Sequence, residues 1–375
     1  MARVLILGGG FGGVVAAEHL AKKLGREHEI TLISRDSRFI FYPALVRLAF
    51  GHAEPDDISY DLRTAMINAR VRFIQSEVAR VEPHERKVIL AHGEVEGEMR
   101  FDYLIYALGR RLATELIRGF FEHAHHLLDV ESALKFGEAI KEFHVGHALI
   151  GYCPGSRLTV PVYETAFALA RLVEERGERE QVRITIVSPD SANDGMGGAL
   201  MAKPLRDALD AHYISFMPNF PIHRITQDQV LTESGLRLGY DLLMLIPPFH
   251  GAGPVVHSEI TDEEGFIRVD RQMRVRGVEG MYAVGDAVNF EGPKMGHMAV
   301  HQAEVAASNL AEEIEGREPS ETYDHELMMV IDEGGRDSIY LHQKLWTDEP
   351  GVVRQGRFWR WAKRVHEKYW KGRHS

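Results

Sequence analysis

Three glycines near the start of the chain carry its most specific chemistry. Gly8, Gly10 and Gly13 stand at G-x-G-x-x-G spacing, with Phe11 and Gly12 between the last two. Glycine at the first place lets the chain turn, at the second lets backbone approach a pyrophosphate, and at the third lets a helix close on its strand. The helix N-terminus then faces the anion with unpaired amides. The spacing alone is weak evidence; its context is stronger. Apolar residues 4–7 read as a strand running into the glycines, and residues 14–24 read as a helix with apolar positions three and four apart. A dinucleotide site is expected on this strand, turn and helix.

Other residues suit the same ligand. Residues 29–33 read as a second strand ending on Ser34 and Arg35. An acidic side chain usually meets the adenosine ribose there; here the Ser34 hydroxyl stands in its place. Residues 71–81, which include Val78 as a contact residue, and 87–90 read as strands around a turn. Residues 101–109 read as a strand that brings Ala107 and Gly109 back to the dinucleotide. The aromatic run 39–45 is broken by Pro43 and reads as the wall of a flat ring in preference to core. Residues 280–287 deliver Gly285 and Asp286 to a helix expected over 297–313. A carboxylate there suits a ribityl hydroxyl, and the positive end of that helix suits a ring edge that becomes anionic on reduction. Lys294 adds a cation in the loop that ends at Gly296.

A second unit repeats the pattern: strand 147–151, helix 162–175, strand 182–187. Its turn, 151–157, lacks the three-glycine spacing, so a second dinucleotide has no phosphate cradle and a nicotinamide cofactor is not expected. Residues 191–198 read as a flexible loop, and 241–249 as a buried strand stopped by two prolines. This unit holds both catalytic candidates. Cys153 is either a thiolate able to hold one sulfur atom or a small core residue. Glu164 is either a proton relay or a carboxylate at a helix start satisfied by backbone amides.

The chain has 375 residues, 45% hydrophobic and 26% charged, ordinary for two or three globular domains. One cysteine permits no internal disulfide, which fits a reducing compartment. The net charge of −11 is unevenly spread: residues 352–375 hold eight Lys or Arg against Glu367, leaving that tail at +7 and the remainder at −18. All four tryptophans lie in the last thirty residues. On a helical wheel Phe358, Trp361, Ala362, Val365 and Tyr369 share one face with Trp359 and Trp370 at its margin. Arg357, Arg360, Lys363, Arg364, Lys368 and Lys371 take the other. Such a helix lies in a lipid headgroup layer, so an anionic membrane surface is an expected partner, with packing on the body or on a second copy as the alternative. No apolar run is long enough to span a membrane, and the opening residues leave no room for a signal peptide, so the expected place is peripheral, on the cytoplasmic side of the cell membrane. No metal cluster is expected, and an acidic body without a reading motif argues against nucleic acid.

Taken together these motifs resemble the two-dinucleotide-binding-domain flavoproteins, and among them the sulfide:quinone oxidoreductase family. The similar stretches run in order through most of the chain: residues 6–13, 29–35, 39–43, 56–58, 101–109, 161–164, 244–249, 293–296, and Trp361-Ala362-Lys363 with Glu367-Lys368-Tyr369 in the tail. The resemblance implies an α/β fold of two Rossmann-like domains with a C-terminal amphipathic membrane-binding segment. FAD is then held by residues 1–112 and 237–320, the second domain is 113–236, and 321–375 is the quinone and membrane region. It also implies electron transfer from a small donor to a membrane quinone. Members that oxidise sulfide carry two cysteines flanking the flavin and many carry a third that tethers it. The matching positions fall near Leu158, Met329 and Leu128, and none is cysteine. Histidines near that family's sulfur site are matched by Ser132 and the neighbourhood of Asp194. Sulfur chain growth needs two thiols within bonding reach, so the expectation is noncovalent FAD and an open choice of donor. The rivals are a type II NADH:quinone reductase and a catalytically silent flavin-binding membrane scaffold.

Overall fold

The apolar run at the start forms strand β1 (Arg3–Leu7), buried at every position but the first, and the glycines release it into helix α1 (Phe11–Lys23). A computed structural model describes residues 1–195, 198–255, 259–335 and 337–372. After α1 come β2 (Glu29–Ser34), α2 (Leu45–Ala49), β3 (Arg72–Glu82), β4 (Lys87–Gly93), β5 (Gly97–Arg100) and β6 (Tyr103–Tyr106). The second unit holds β7 (Gly146–Tyr152), α3 (Val160–Glu175), β8 (Val182–Val187), α4 (Ala199–Ala211), β9 (Ile214–Met217) and β10 (Leu242–Ile246). The chain closes with β11 (Met281–Ala283), α5 (Gly296–Ile314), β12 (Glu326–Asp332), β13 (Ser338–Lys344), β14 (Val352–Gln355) and α6 (Arg357–Gly372).

Two sheets organise these elements. The first runs β11-β6-β1-β2-β3-β4-β5, parallel from β11 to β3 and antiparallel in the β3-β4-β5 meander. The second is β9-β8-β7-β10, parallel throughout. Parallel strands are buried on both faces, which is why they read as near-continuous apolar runs. Short strands Arg110–Leu112 and Phe249–Gly251 pair antiparallel where the chain crosses between the units. A third sheet, the antiparallel meander β12-β13-β14, carries α6.

Three expectations change here. The boundary at residue 237 is displaced: β10 pairs with β7 in register Ala148↔Leu242 to Tyr152↔Ile246, so it completes the second sheet instead of joining the first. An all-apolar strand is buried equally well in either sheet, and only the pairing decides. The loop expected over 191–198 is partly helical, with a short turn at Ala192–Gly195, while Gly197 lies outside the described residues. Helix α4 follows at once, and Pro204 inside it masks its helical pattern. Glu164 is the fifth residue of α3, beyond the first turn, because the helix begins at Val160.

Two backbones come very close at the glycine turn of the first unit. Gly8 has φ +110°, and a Cβ on Gly13 would run into the Gly8 carbonyl oxygen. Gly13→Ala is therefore expected to force α1 off β1 and to destabilise the protein by about 1–3 kcal/mol, the usual range for overpacking. Urea unfolding followed by circular dichroism measures it; a midpoint equal to that of the unmodified chain would contradict this account.

Candidate functional site

The C-terminal ends of β1, β6 and β11 converge, and each is followed by a turn rich in glycine. At the first turn, a Cβ on Gly10 would meet nothing within 4 Å, whereas one on Gly12 would press on Val284. Gly10 caps α1 with no side-chain hydrogen bond, and the first turn of α1 contains no acidic residue. The leading amides of α1 thus face open space with no charge of the chain's own to answer them, which fits a phosphate. Ser34 is buried beneath this turn, its Oγ 2.8 Å from where a Gly9 Cβ would stand. Arg35 is exposed and pairs with Asp36 at 3.4 Å. Val78 is buried along β3 against Leu90 of β4.

At the third turn Asp286 is neither free nor solvated. It forms an ion pair with Arg110 from the crossover strand, and the Arg110 guanidinium lies 4.2 Å over the ring of Phe249. Arg110 Nε is buried with no acceptor in the protein, an orphaned donor beside the proposed ribityl carboxylate. Sequence reasoning missed Arg110; its signal was a basic residue directly after Gly109. Ala107 packs against Gly8, and beyond it Gly109 opens onto space. Gly296 begins α5, and a Cβ there would touch the Phe11 ring at 3.2 Å. Lys294 is buried, and its Nζ donates to the Val288 carbonyl. These residues fit a dinucleotide with its pyrophosphate at α1 and its ring end toward α5.

The aromatic run becomes a short strand, Arg38–Ile40, then a turn leading into α2. Phe39 and Phe41 are buried against Phe11, at centroid distances of 5.0 and 5.7 Å. The flat ring they meet belongs to the chain itself: Trp370 of α6 stacks on Phe39 at 5.5 Å with its plane 6° from parallel, and meets Phe11 edge-on at 4.9 Å. Trp370 is thus core, which corrects its marginal place on the helical wheel.

Helix α6 is also clamped by charge. Glu367 pairs with Arg47 of α2 at 2.5 Å, Arg360 with Asp332 of β12 at 3.0 Å, and Lys363 with Glu164 of α3. Two members of the supposedly outward basic face therefore turn to the body. Trp359 stacks on Tyr340 at 3.8 Å. Phe358, Trp361, Val365 and Tyr369 remain exposed as a row, and the side chain of Lys371 lies outside the described residues. Between α2, α3 and α6 is a cleft of about 270 Å³ lined by Pro43, Phe50, Glu164, Asp332 and Lys363 among others.

Glu164 is 6% exposed, and its carboxylate accepts from the Asp332 backbone N–H at 2.9 Å as well as from Lys363. Burial pushes its pKa up, with Lys363 pulling the other way. It is a wall residue of this cleft, not a carboxylate satisfied by its own helix. Cys153 is different. It is fully buried among Leu149, Val187, Phe220 and Leu245, and burial pushes its thiol far up, so it is a core residue and not a nucleophile. Leu128 and Met329 are buried and Leu158 packs on the core, so no thiol stands at any of those places. Ser132 has a histidine partner that spacing did not reveal: its Oγ is 3.3 Å from His126 Nε2 and donates to Asp129 at 3.0 Å. Asp194 accepts from Ser191.

The matching crevice of the second unit is crossed by side-chain hydrogen bonds. Tyr152, at the end of β7, donates to Asp190 at 2.8 Å and bonds Ser188 at 2.7 Å, while Tyr163 donates to the Gly195 carbonyl. The end of β8 is stitched to β7 and α3 by side chains.

A family model described as pyridine nucleotide-disulphide oxidoreductase matches residues 2–304. The chain belongs to the pyridine nucleotide-disulphide oxidoreductase family. Within reach of that family, it is 26% identical to the sulfide-quinone reductase of Aquifex aeolicus, over 99% of this chain and 91% of that protein. The solved sulfide:quinone oxidoreductase from the same organism superposes with a TM-score of 0.92 at 24% identity, covering 100% of this chain and 92% of that one. The NDH2 of Plasmodium falciparum, solved with NADH, superposes with a TM-score of 0.75 at 15% identity, covering 100% and 96%. Both superpositions show the shared oxidoreductase fold.

Gly10→Ala separates binding from folding. Because its Cβ enters open space, stability is expected to stay within about 1 kcal/mol of the unmodified chain, while retention of dinucleotide through purification falls at least several-fold. Absorbance of the bound chromophore per polypeptide reads the second quantity and thermal melting the first; equal retention would remove Gly10 from the cradle.

Proposed function

We propose that this protein is an FAD-dependent oxidoreductase that holds FAD noncovalently and passes two electrons from a small donor, sulfide or a related sulfur compound being the first class to try, to a quinone in a membrane. The observation that carries this reading is α6. One helix reaches Phe11 of the glycine turn through Trp370 and Glu164 of the cleft through Lys363, while turning an aromatic row outward.

FAD, when bound, supplies the two-electron carrier. The chain's residues do the rest. The α1 amides and Gly10 would hold its pyrophosphate, Asp286 would accept from a ribityl hydroxyl, and the uncapped start of α5 would favour negative charge on its ring. Quinone reduction also consumes two protons. Glu164, buried in the wall of a cleft lined mainly by charged residues, has its pKa raised by burial and is placed to relay one, and its ion pair with Lys363 sets its orientation. Noncovalent retention is supported by the lack of any cysteine other than the buried Cys153. A nicotinamide donor is disfavoured by the tyrosine-stitched crevice of the second unit, and NADH is expected to leave the flavin yellow.

For location, we propose a peripheral protein on the cytoplasmic face of the membrane, with Phe358, Trp361, Val365 and Tyr369 entering the headgroup layer of anionic lipid. Among the described residues no helix is long and apolar enough to cross. The basic residues left unpaired on α6 each add about 1 kcal/mol near such a surface. A second copy packed on the same row is the competing occupant.

Two measurements test this. In stopped flow, photoreduced Glu164→Gln mixed with a short-chain soluble quinone is expected to reoxidise about 10²-fold more slowly than the unmodified protein, the low end for losing a general acid; an unchanged rate from pH 6 to 9 removes Glu164 from the reaction. In flotation with phosphatidylglycerol vesicles, the double variant Phe358→Ala, Trp361→Ala is expected to lose at least about tenfold in partitioning, since each ring contributes roughly 1.5–3 kcal/mol on burial. Unmodified protein that stays at the bottom of the gradient at low salt defeats the membrane assignment.

A further inference from the structure

Behind the Gly285–Asp286 turn lies a buried polar cluster that none of the steps above uses. Lys294 is 6% exposed, and Gln302, Tyr323 and His325 are 3% or less. Donor and acceptor roles in it follow from chemistry. The Gly285 N–H donates to Gln302 Oε1 at 2.7 Å, which leaves the Gln302 amide nitrogen to donate, and it does so to the Tyr323 hydroxyl. His325 Nε2 is 2.8 Å from the Glu291 carbonyl, which can only accept, so Nε2 carries the hydrogen. Nδ1, 3.0 Å from the Tyr323 hydroxyl, accepts from it. With Nε2 donating and Nδ1 accepting the ring is neutral, in keeping with burial, which pushes the His325 pKa down and the Tyr323 hydroxyl up. The chain from Gly285 to Glu291 therefore has one direction and stays uncharged.

Lys294 is the member that can change charge. Its Nζ donates to the carbonyls of Val288 and Phe290 and lies 4.6 Å over the ring of Phe266. With Asp286, Gln302 and His325 it lines a cavity of about 10 Å³, the room of one water. The ionisable groups facing it are Asp286 from the turn after β11, Asp262 from the segment before β11, Arg157 from the loop after β7, Arg110 from the crossover strand, and His325 from the segment before β12. Burial, the largest influence, takes the amine down to about 7. Two carbonyl acceptors and an aromatic face make a seat that suits an ammonium once charge nearby favours it.

We propose that Lys294 is a proton acceptor coupled to the redox state of the flavin. When two electrons place negative charge at the ring edge facing α5, the neutral amine binds one proton from solvent and becomes an ammonium. No other bond forms or breaks. The uncharged Gln302–Tyr323–His325 chain keeps the rest of the cluster from competing for that proton. This rests on the flavin reading above.

The test is a spectroelectrochemical titration of the yellow holoprotein from pH 5 to 9, beside Lys294→Met. One proton per two electrons is worth about 30 mV per pH unit, the tenfold constant of a two-electron couple. Above pH 7 the midpoint of the unmodified protein is expected to fall about 30 mV per unit more steeply than that of the variant; below pH 6, where the amine is already charged, the two run parallel. Parallel lines above pH 7 overturn the proposal. Lys294→Gln, whose amide can still donate to one carbonyl, gives the same comparison if the methionine variant does not fold. The unmodified protein also answers without substitution: photoreduction in weak buffer at pH 8 takes up two protons per two electrons if Lys294 responds, and one if it does not. A colourless protein that refuses added FAD sinks the flavin reading itself and is seen before any titration begins.

Discussion

The constraint on which the site depends is the contact of two backbones at Gly8 and Gly13. It leaves no room for a Cβ on Gly13, so α1 leaves β1 at one angle only, and its first amides aim at the space above the sheet. The returns of β6 at Ala107 and of β11 at Gly285 close on the same point, with Ala107 lying against Gly8. A site made from three strand ends of one parallel sheet inherits the rigidity of that sheet. Side chains then add to that frame only at the third turn, where Arg110 pairs with Asp286 and Gln302 accepts from the Gly285 N–H.

Much of this was legible in the sequence because it is local. Strand, glycine turn and helix lie within about twenty residues, and Gly285, Asp286 and the start of α5 lie close together. The periodicity of each segment and the special conformations of glycine are one-dimensional signals. The pairing of β10 was not legible, because an all-apolar strand states that it is buried but not beside which neighbour. Helix α4 was hidden by Pro204, which breaks its pattern without breaking the helix.

The tail was half legible for the same reason. Its amphipathic pattern pointed to an apolar row, and that row is present. Which cations turn inward depends on acids far away in sequence: Arg47 and Glu367 are 320 residues apart, and Glu164 and Lys363 are 199 apart. No spacing rule reaches that far. Cys153 illustrates the converse. Its type suggested chemistry, but reactivity depends on solvent and neighbouring charge, and its neighbours among Leu149, Val187 and Phe220 supply neither.

The stacking of Trp370 on Phe39 and Phe11 also bears on how the molecule is assembled. The glycine turn and the aromatic segment after it are synthesised well before the indole that covers them. Domains fold largely in the order in which they emerge. Tyr60 already stacks on Phe39 within the first unit, but the face that Trp370 covers stays open until α6 leaves the ribosome. During that interval Phe39 and Phe41 are open to whatever else is apolar nearby, a chaperone or a neighbouring nascent chain. The arrival of one indole ends that exposure, so a contact that looks like a local detail of packing also decides when the first unit is complete.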